Sequence, residues 1–204
     1  LEIELPLRIL VIIASPEGLP PLDLVSERDL IAQAWGSRPE VAVKFLEPAT
    51  PAALQTELWS WQPHVVHFMG HGQFDSITGA GALIFVDHHN RPKPVVGAQL
   101  GVLLSNAPGV RLAFLNACQS AELSRARNID PFSGVAAALV LAGLPAVVAM
   151  QFPISDRAAL AFANGFYPRL VEGEPVELAV AYGREAIKLD MADNEEGGTP
   201  VPSL

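Results

Sequence analysis

The chain has 204 residues, half of them hydrophobic and 17% charged, which suffices for one domain with a substantial core and excludes disorder across its body. A formal net charge of -9 excludes a general nucleic-acid surface, because neutralising phosphates needs a basic patch. No apolar run approaches the length of a membrane span, and the single cysteine excludes an internal disulfide framework and suits a reducing, cytoplasmic compartment.

The N-terminal segment shows neither a basic leader nor a cleavage site, and it opens on Leu1, which suggests excision from something longer. Leu7 to Ala14 (LRILVIIA) is the first predicted strand, followed by a Pro- and Gly-rich turn and a helix from about Leu24 to Trp35. Val41 to Leu46 is a second strand, and Pro51 to Trp61 a helix with proline at its start. Its two tryptophans, Trp59 and Trp61, are expected to pack on the sheet. His64 to Met69 (HVVHFM) is a third strand. Ala82 to Asp87 follows too closely for a crossover helix and reads as one arm of a hairpin, with Lys93 to Val96 as the other. His88 and His89 then fall in its solvated turn.

Gly97 to Ser105 is predicted helical, and Val110 to Ala117 (VRLAFLNA) is the fourth main strand. A small-residue helix spans Phe132 to Ala142, and a strand spans Ala146 to Met150. A helix from Ser155 to Val171 has Ser155 as its N-cap, and a last helix covers roughly Glu177 to Leu189. Residues 1–192 form the expected domain, and 193–204 (DNEEGGTPVPSL) a flexible tail or linker. Strands alternating with helices are the pattern of an α/β domain whose parallel sheet is covered on both faces.

In such sheets, functional groups gather outside the carboxyl ends of the strands. Two places there carry chemistry. The third strand leads into Gly70-His71-Gly72, where glycines permit a sharp turn and close backbone approach. The fourth leads into Asn116-Ala117-Cys118-Gln119-Ser120. Neighbouring strands lie about 5 Å apart, so the two ends can face one reacting group. A thiol is the nucleophile that neutral imidazole activates most readily. A lone cysteine is most often a small buried hydrophobe, and a lone histidine beside glycine is weak evidence. Together, at two predicted strand ends, they carry more.

Rival site chemistries fare worse. His64, His67 and His71 do not share a zinc-like spacing, since on a strand His64 and His67 point to opposite faces. The segment Gly70 to Asp75 lacks the third glycine of a dinucleotide fingerprint, and there is no P-loop. Neither a metal nor another cofactor is expected.

Cys118 follows His71 by 47 positions, against about 50 in the caspase signature Q-A-C-[RQG]-G, which Asn116 to Ser120 matches at Ala117, Cys118 and Gln119. With VVHFMGHG, LAFLNACQSA, GLPAVVAMQFPISD and AFANGFYPRL, the chain resembles the CHAT domains. These are caspase-like cysteine peptidases, of the same clan as separases and metacaspases. The resemblance implies a three-layer caspase-like sandwich with a mostly parallel central sheet. It implies peptide-bond cleavage by a dyad of Cys118, the nucleophile, and His71, the general base and acid. The backbone N–H groups of Gly72 and Cys118 would hold the oxyanion. Asn116, two residues before the cysteine, takes the place of a residue that lines the primary pocket in the wider clan. Asp75 and Asp156 are further candidates for that pocket, and Asp75 or Asp87 for orienting the imidazole.

The implied partners are a protein substrate and regulatory domains or a partner protein, such as tetratricopeptide repeats, with no nucleic acid and no membrane. Pro16 to Asp23 and Gly72 to Gly81 are candidate segments that order on activation. A non-catalytic caspase-like scaffold and a flavodoxin-like ligand-binding domain with an inert thiol are the rival readings.

Overall fold

The computed structural model describes residues 4–20, 28–29, 31–32, 35, 38–74, 80–117, 131–149 and 156–195. In chain order they form β1 (Leu7–Ile13), helical residues at 28–29, 31–32 and 35, β2 (Val41–Phe45), α1 (Pro51–Ser60), β3 (Val65–Phe74), β4 (Gly81–Val86) and β5 (Pro92–Val96). There follow α2 (Gly97–Ser105), β6 (Leu112–Ala117), α3 (Pro131–Leu141), β7 (Ala146–Ala149), α4 (Asp156–Val171) and α5 (Val176–Glu195).

Local chemistry explains several of these boundaries. Thr50 caps α1, its hydroxyl accepting from the Ala53 amide at 3.1 Å, and Pro51 takes the first helical position, where a missing N–H costs nothing. In β5, Pro92 and Pro94 bracket Lys93, residue types that blunt a sheet edge against further pairing. The last helix runs to Glu195, three residues into the stretch expected to be tail.

The sheet has seven strands. β2, β1, β3, β6 and β7 lie side by side in parallel, whereas β4 pairs antiparallel with β3, and β5 antiparallel with β4. The fold is therefore α/β and consistent with a caspase-like sandwich, but the sheet is mixed rather than mostly parallel. The reason is the length of β3. Its first half, Val65 to Gly70, pairs with β1 and β6; its second half, His71 to Phe74, runs on beyond both. Backbone groups there still need partners, and the β4–β5 hairpin supplies them.

Alternation of side chains gives the sheet two apolar faces. On the first, Leu10, Ile12, Val66, Phe68, Ala113 and Leu115 pack with α1, α2, α3 and the hairpin. On the second, Ile9, Val11, Val65, Met69, Leu112 and Phe114 pack with Ile31, Trp35, α4 and α5. Trp61 packs against the first core, but Trp59 is 59% exposed, so only one of the two tryptophans found the sheet. No helix of the described residues is long and apolar enough to cross a membrane.

Candidate active site

Gly-His-Gly does not form a turn. All three residues lie within β3, at the point where its partners change from β1 and β6 to β4. Gly70 is needed for close approach: a Cβ there would sit 2.7 Å from the Phe68 ring and 3.2 Å from the Ala14 carbonyl oxygen. Gly72 pairs with Leu83 and is half-buried.

The register of β3 against β6 brings the two motifs together. Met69 pairs with Asn116 and Gly70 with Ala117. The residue just before His71 is thus the strand partner of the residue just before Cys118. Cys118 itself lies outside the described residues, as do Asp75 and Ser155. Asp156 is described as the first residue of α4, on the second face of the sheet.

His71 shares a face with Met69 and His67, because side chains along a strand alternate. Its partner Ile84 agrees, since Leu83 and Phe85 on either side belong to the opposite core. The imidazole is 8% exposed, and its Nε2 lies 3.0 Å from the carbonyl oxygen of Pro20, in the segment that follows β1. A carbonyl only accepts, so Nε2 carries the proton and donates it, which leaves Nδ1 as the basic nitrogen of the neutral ring. Burial lowers the imidazole's pKa, and the Pro20 bond pulls partly the other way. One group that orients the ring is therefore a backbone carbonyl, which sequence reasoning missed: no side chain announces it beyond the proline-rich turn after β1.

Asp87 has other work. Its carboxylate accepts from the His89 and Arg91 amides at 2.8 and 2.9 Å and from Arg91 Nε at 3.0 Å, which closes the hairpin turn. Those bonds hold its pKa down, to about 2. His88 and His89 are exposed in the same turn, as expected.

The other two buried histidines are structural. His64 Nδ1 accepts from the Arg8 amide at 3.2 Å, and burial with the charges of Arg8 and Arg111 lowers its pKa to about 4. His67 lies among Trp35, Phe114 and Tyr167, with the Tyr167 hydroxyl 3.1 Å from its Nδ1. Desolvation there lowers its pKa to about 3.

Asn116 is the fourth buried polar side chain, 5% exposed. Its Oδ1 has no hydrogen-bond partner among the described residues. Counting by twos along β6, it faces the same way as Phe114 and so the same way as His71.

The CHAT domain family model matches residues 10–197. The chain belongs to the CHAT family, in the caspase-like clan. No curated protein matches it. Membership makes the chain a caspase-like domain related to cysteine peptidases.

Proposed function

We propose that the chain is a cysteine endopeptidase acting through a dyad of His71 and Cys118. The observation that carries this reading is the pairing of Gly70 with Ala117 on neighbouring strands, the residues that immediately precede His71 and Cys118 in the sequence. The bond from His71 Nε2 to Pro20 supports it, because it selects the tautomer a base needs.

In this mechanism Nδ1 of neutral His71 takes the Cys118 thiol proton, and the thiolate attacks the peptide carbonyl carbon. Backbone N–H groups of Gly72 and Cys118 receive the developing oxyanion, a contribution of several kcal/mol where such donors are well placed. The imidazolium, steadied by the Pro20 carbonyl, returns its proton to the leaving amine. A water deprotonated by His71 then hydrolyses the thioester. The lowered pKa keeps the resting ring neutral near pH 7. Asn116 lines the primary pocket, with Asp75 and Asp156 as further acidic candidates around it. Regulation by attached domains or a partner protein, with tetratricopeptide repeats as one such module, and a cytoplasmic setting complete the reading.

The test is alkylation of Cys118 as a function of pH, in the wild type and in His71→Ala. The sole cysteine makes the signal unambiguous. The expected result is a thiolate reactive well below pH 8.5 whose profile moves up without His71. An ordinary thiol, identical in both proteins, defeats the dyad and leaves a scaffold.

A further inference from the structure

We infer that the protein binds a free apolar α-amino acid, of the leucine or phenylalanine class, in the cavity beside the carboxyl ends of β1 and β2, and that this ligand sets the reactivity of the candidate active site. The binding stands apart from the peptidase reading; the effect on Cys118 rests on it.

The cavity holds about 160 Å³, room for a group the size of a benzene ring or a leucyl side chain. Val11 and Ile13 of β1, Phe45 of β2 and Val86 of β4 form its apolar wall. Ligands of open α/β sheets settle in this kind of place, in crevices outside the carboxyl ends of the strands. It is separate from the candidate catalytic crevice. In the sheet order β1 and β2 lie on one side of β3, and β6, which leads to Cys118, lies on the other.

Two opposite charges stand at the same cavity. Arg28 lies over the Phe45 ring, 4.6 Å from its centroid, and its Nη1 meets the Glu47 carboxylate. Their side chains are 41% and 66% exposed, and an ion pair so open contributes little to stability. A ligand carboxylate can take further guanidinium N–H groups, since arginine offers five and often binds carboxylates through two. A ligand ammonium beside it meets Glu47. An apolar acid without the ammonium faces Glu47 with like charge, and an apolar amine without the carboxylate faces Arg28 likewise. A zwitterion with an apolar side chain satisfies both the wall and the charged pair.

The cavity also touches what holds His71. Ser15 and Asn90 both line it. Ser15 belongs to the segment after β1, which is tied at three points: the Ala14 N–H donates to the Met69 carbonyl at 2.9 Å, the Glu17 N–H to the Asn90 carbonyl at 2.8 Å, and His71 Nε2 to the Pro20 carbonyl at 3.0 Å. A ligand in contact with both Ser15 and Asn90 favours the state in which these ties are made, which is the state that orients the imidazole. Its preference for that state is the whole of the coupling.

The experiment titrates the purified protein calorimetrically with L-leucine, L-phenylalanine, glycine, isocaproate (leucine without its amine) and isoamylamine (leucine without its carboxylate). Leucine and phenylalanine should bind saturably, and the other three, each lacking one part of the match, about tenfold or more weakly. Arg28→Gln should weaken leucine about tenfold or more, with the melting temperature and the Cys118 alkylation rate of the unliganded protein unchanged. Saturating leucine should raise Cys118 alkylation at pH 7 about fivefold or more in the wild type and not in His71→Ala. No binding of either apolar amino acid, isocaproate or glycine binding as tightly as leucine, or equal leucine affinity in Arg28→Gln overturns the site. Leucine that binds and leaves a His71-dependent alkylation rate unchanged overturns the coupling alone. A thiol indifferent to His71 overturns the peptidase reading, and calorimetry still decides the site.

Discussion

His67 and His71 stand four residues apart on one strand and one face, yet the fold makes opposite uses of them. His67 lies where β1, β3 and β6 run side by side and α4 closes over the sheet, so its neighbours are Trp35, Phe114 and Tyr167. His71 lies in the stretch of β3 that pairs with β4, near the segment after β1, and its Nε2 donates to the Pro20 carbonyl. Depth along the strand, not residue type, decides between a histidine enclosed by aromatic rings and one that bonds to a loop carbonyl. Of the four buried polar side chains among the described residues, His67, His71 and Asn116 lie on the second face, and His64 does not. Polar burial is concentrated on the face that carries the candidate site.

The largest break in this comparison comes from alanine at His71. His71→Ala should lower turnover by about 10²–10⁴-fold, the range for loss of a positioned acid–base group, while the melting temperature changes little because exposed Pro20 can bond to water instead. Equal turnover in the two proteins would remove His71 from the mechanism.

His67→Gln should do the reverse, leaving turnover near pH 7 unchanged and altering acid stability. Unfolded His67 titrates near 6.5 and folded His67 near 3, so between those values the unfolded chain binds the extra proton. The stabilising effect of a neutral His67 is complete above pH 6.5 and is lost as pH falls toward 3. At pH 5 that loss is about 2 kcal/mol, which the glutamine variant should not suffer. Urea unfolding at pH 7 and pH 5 measures it, and identical pH dependence in both proteins would contradict the burial argument.

A smaller effect sharpens the contrast between the faces themselves. A Cβ at Gly165, on α4, would lie 2.6 Å from the Tyr182 carbonyl oxygen of α5. A Cβ at Gly101, on α2, would meet the Ala142 side chain at 2.7 Å. The Cβ at Gly165 would also lie 3.0 Å from both Ala186 Cβ and Gly183 Cα, whereas the next neighbour at Gly101 is 3.3 Å away, so Gly165→Ala should cost about 1–3 kcal/mol and more than Gly101→Ala. Denaturant midpoints of the two variants give the comparison directly.

Much of this arrangement was legible in the sequence. Apolar runs such as LRILVIIA and VRLAFLNA placed the strands within a residue or two, because a strand buried on both faces needs a continuous apolar run. The short spacing before ALIFVD ruled out a crossover helix and pointed to the hairpin that the structure contains. The histidine and the cysteine were singled out from residue type and predicted strand ends alone, and β3 and β6 proved to be neighbours.

What escaped the sequence depends on contacts between distant segments. That Gly70-His71-Gly72 continues a strand, and that the sheet turns mixed there, follows from partners that appear only when β4 folds back on β3. That a carbonyl at position 20 orients a ring at position 71 has no sequence signature, because every residue carries the same carbonyl. Asn116 could be named from its place before the cysteine, but that its Oδ1 has no partner among the described residues is a property of what surrounds it. Residue types and their periodicity determined which groups this protein has and roughly where the strands lie, except that β3 runs five residues past its expected end. Only the tertiary structure decided their partners, since hydrogen bonding and desolvation are set by neighbours far away in the chain.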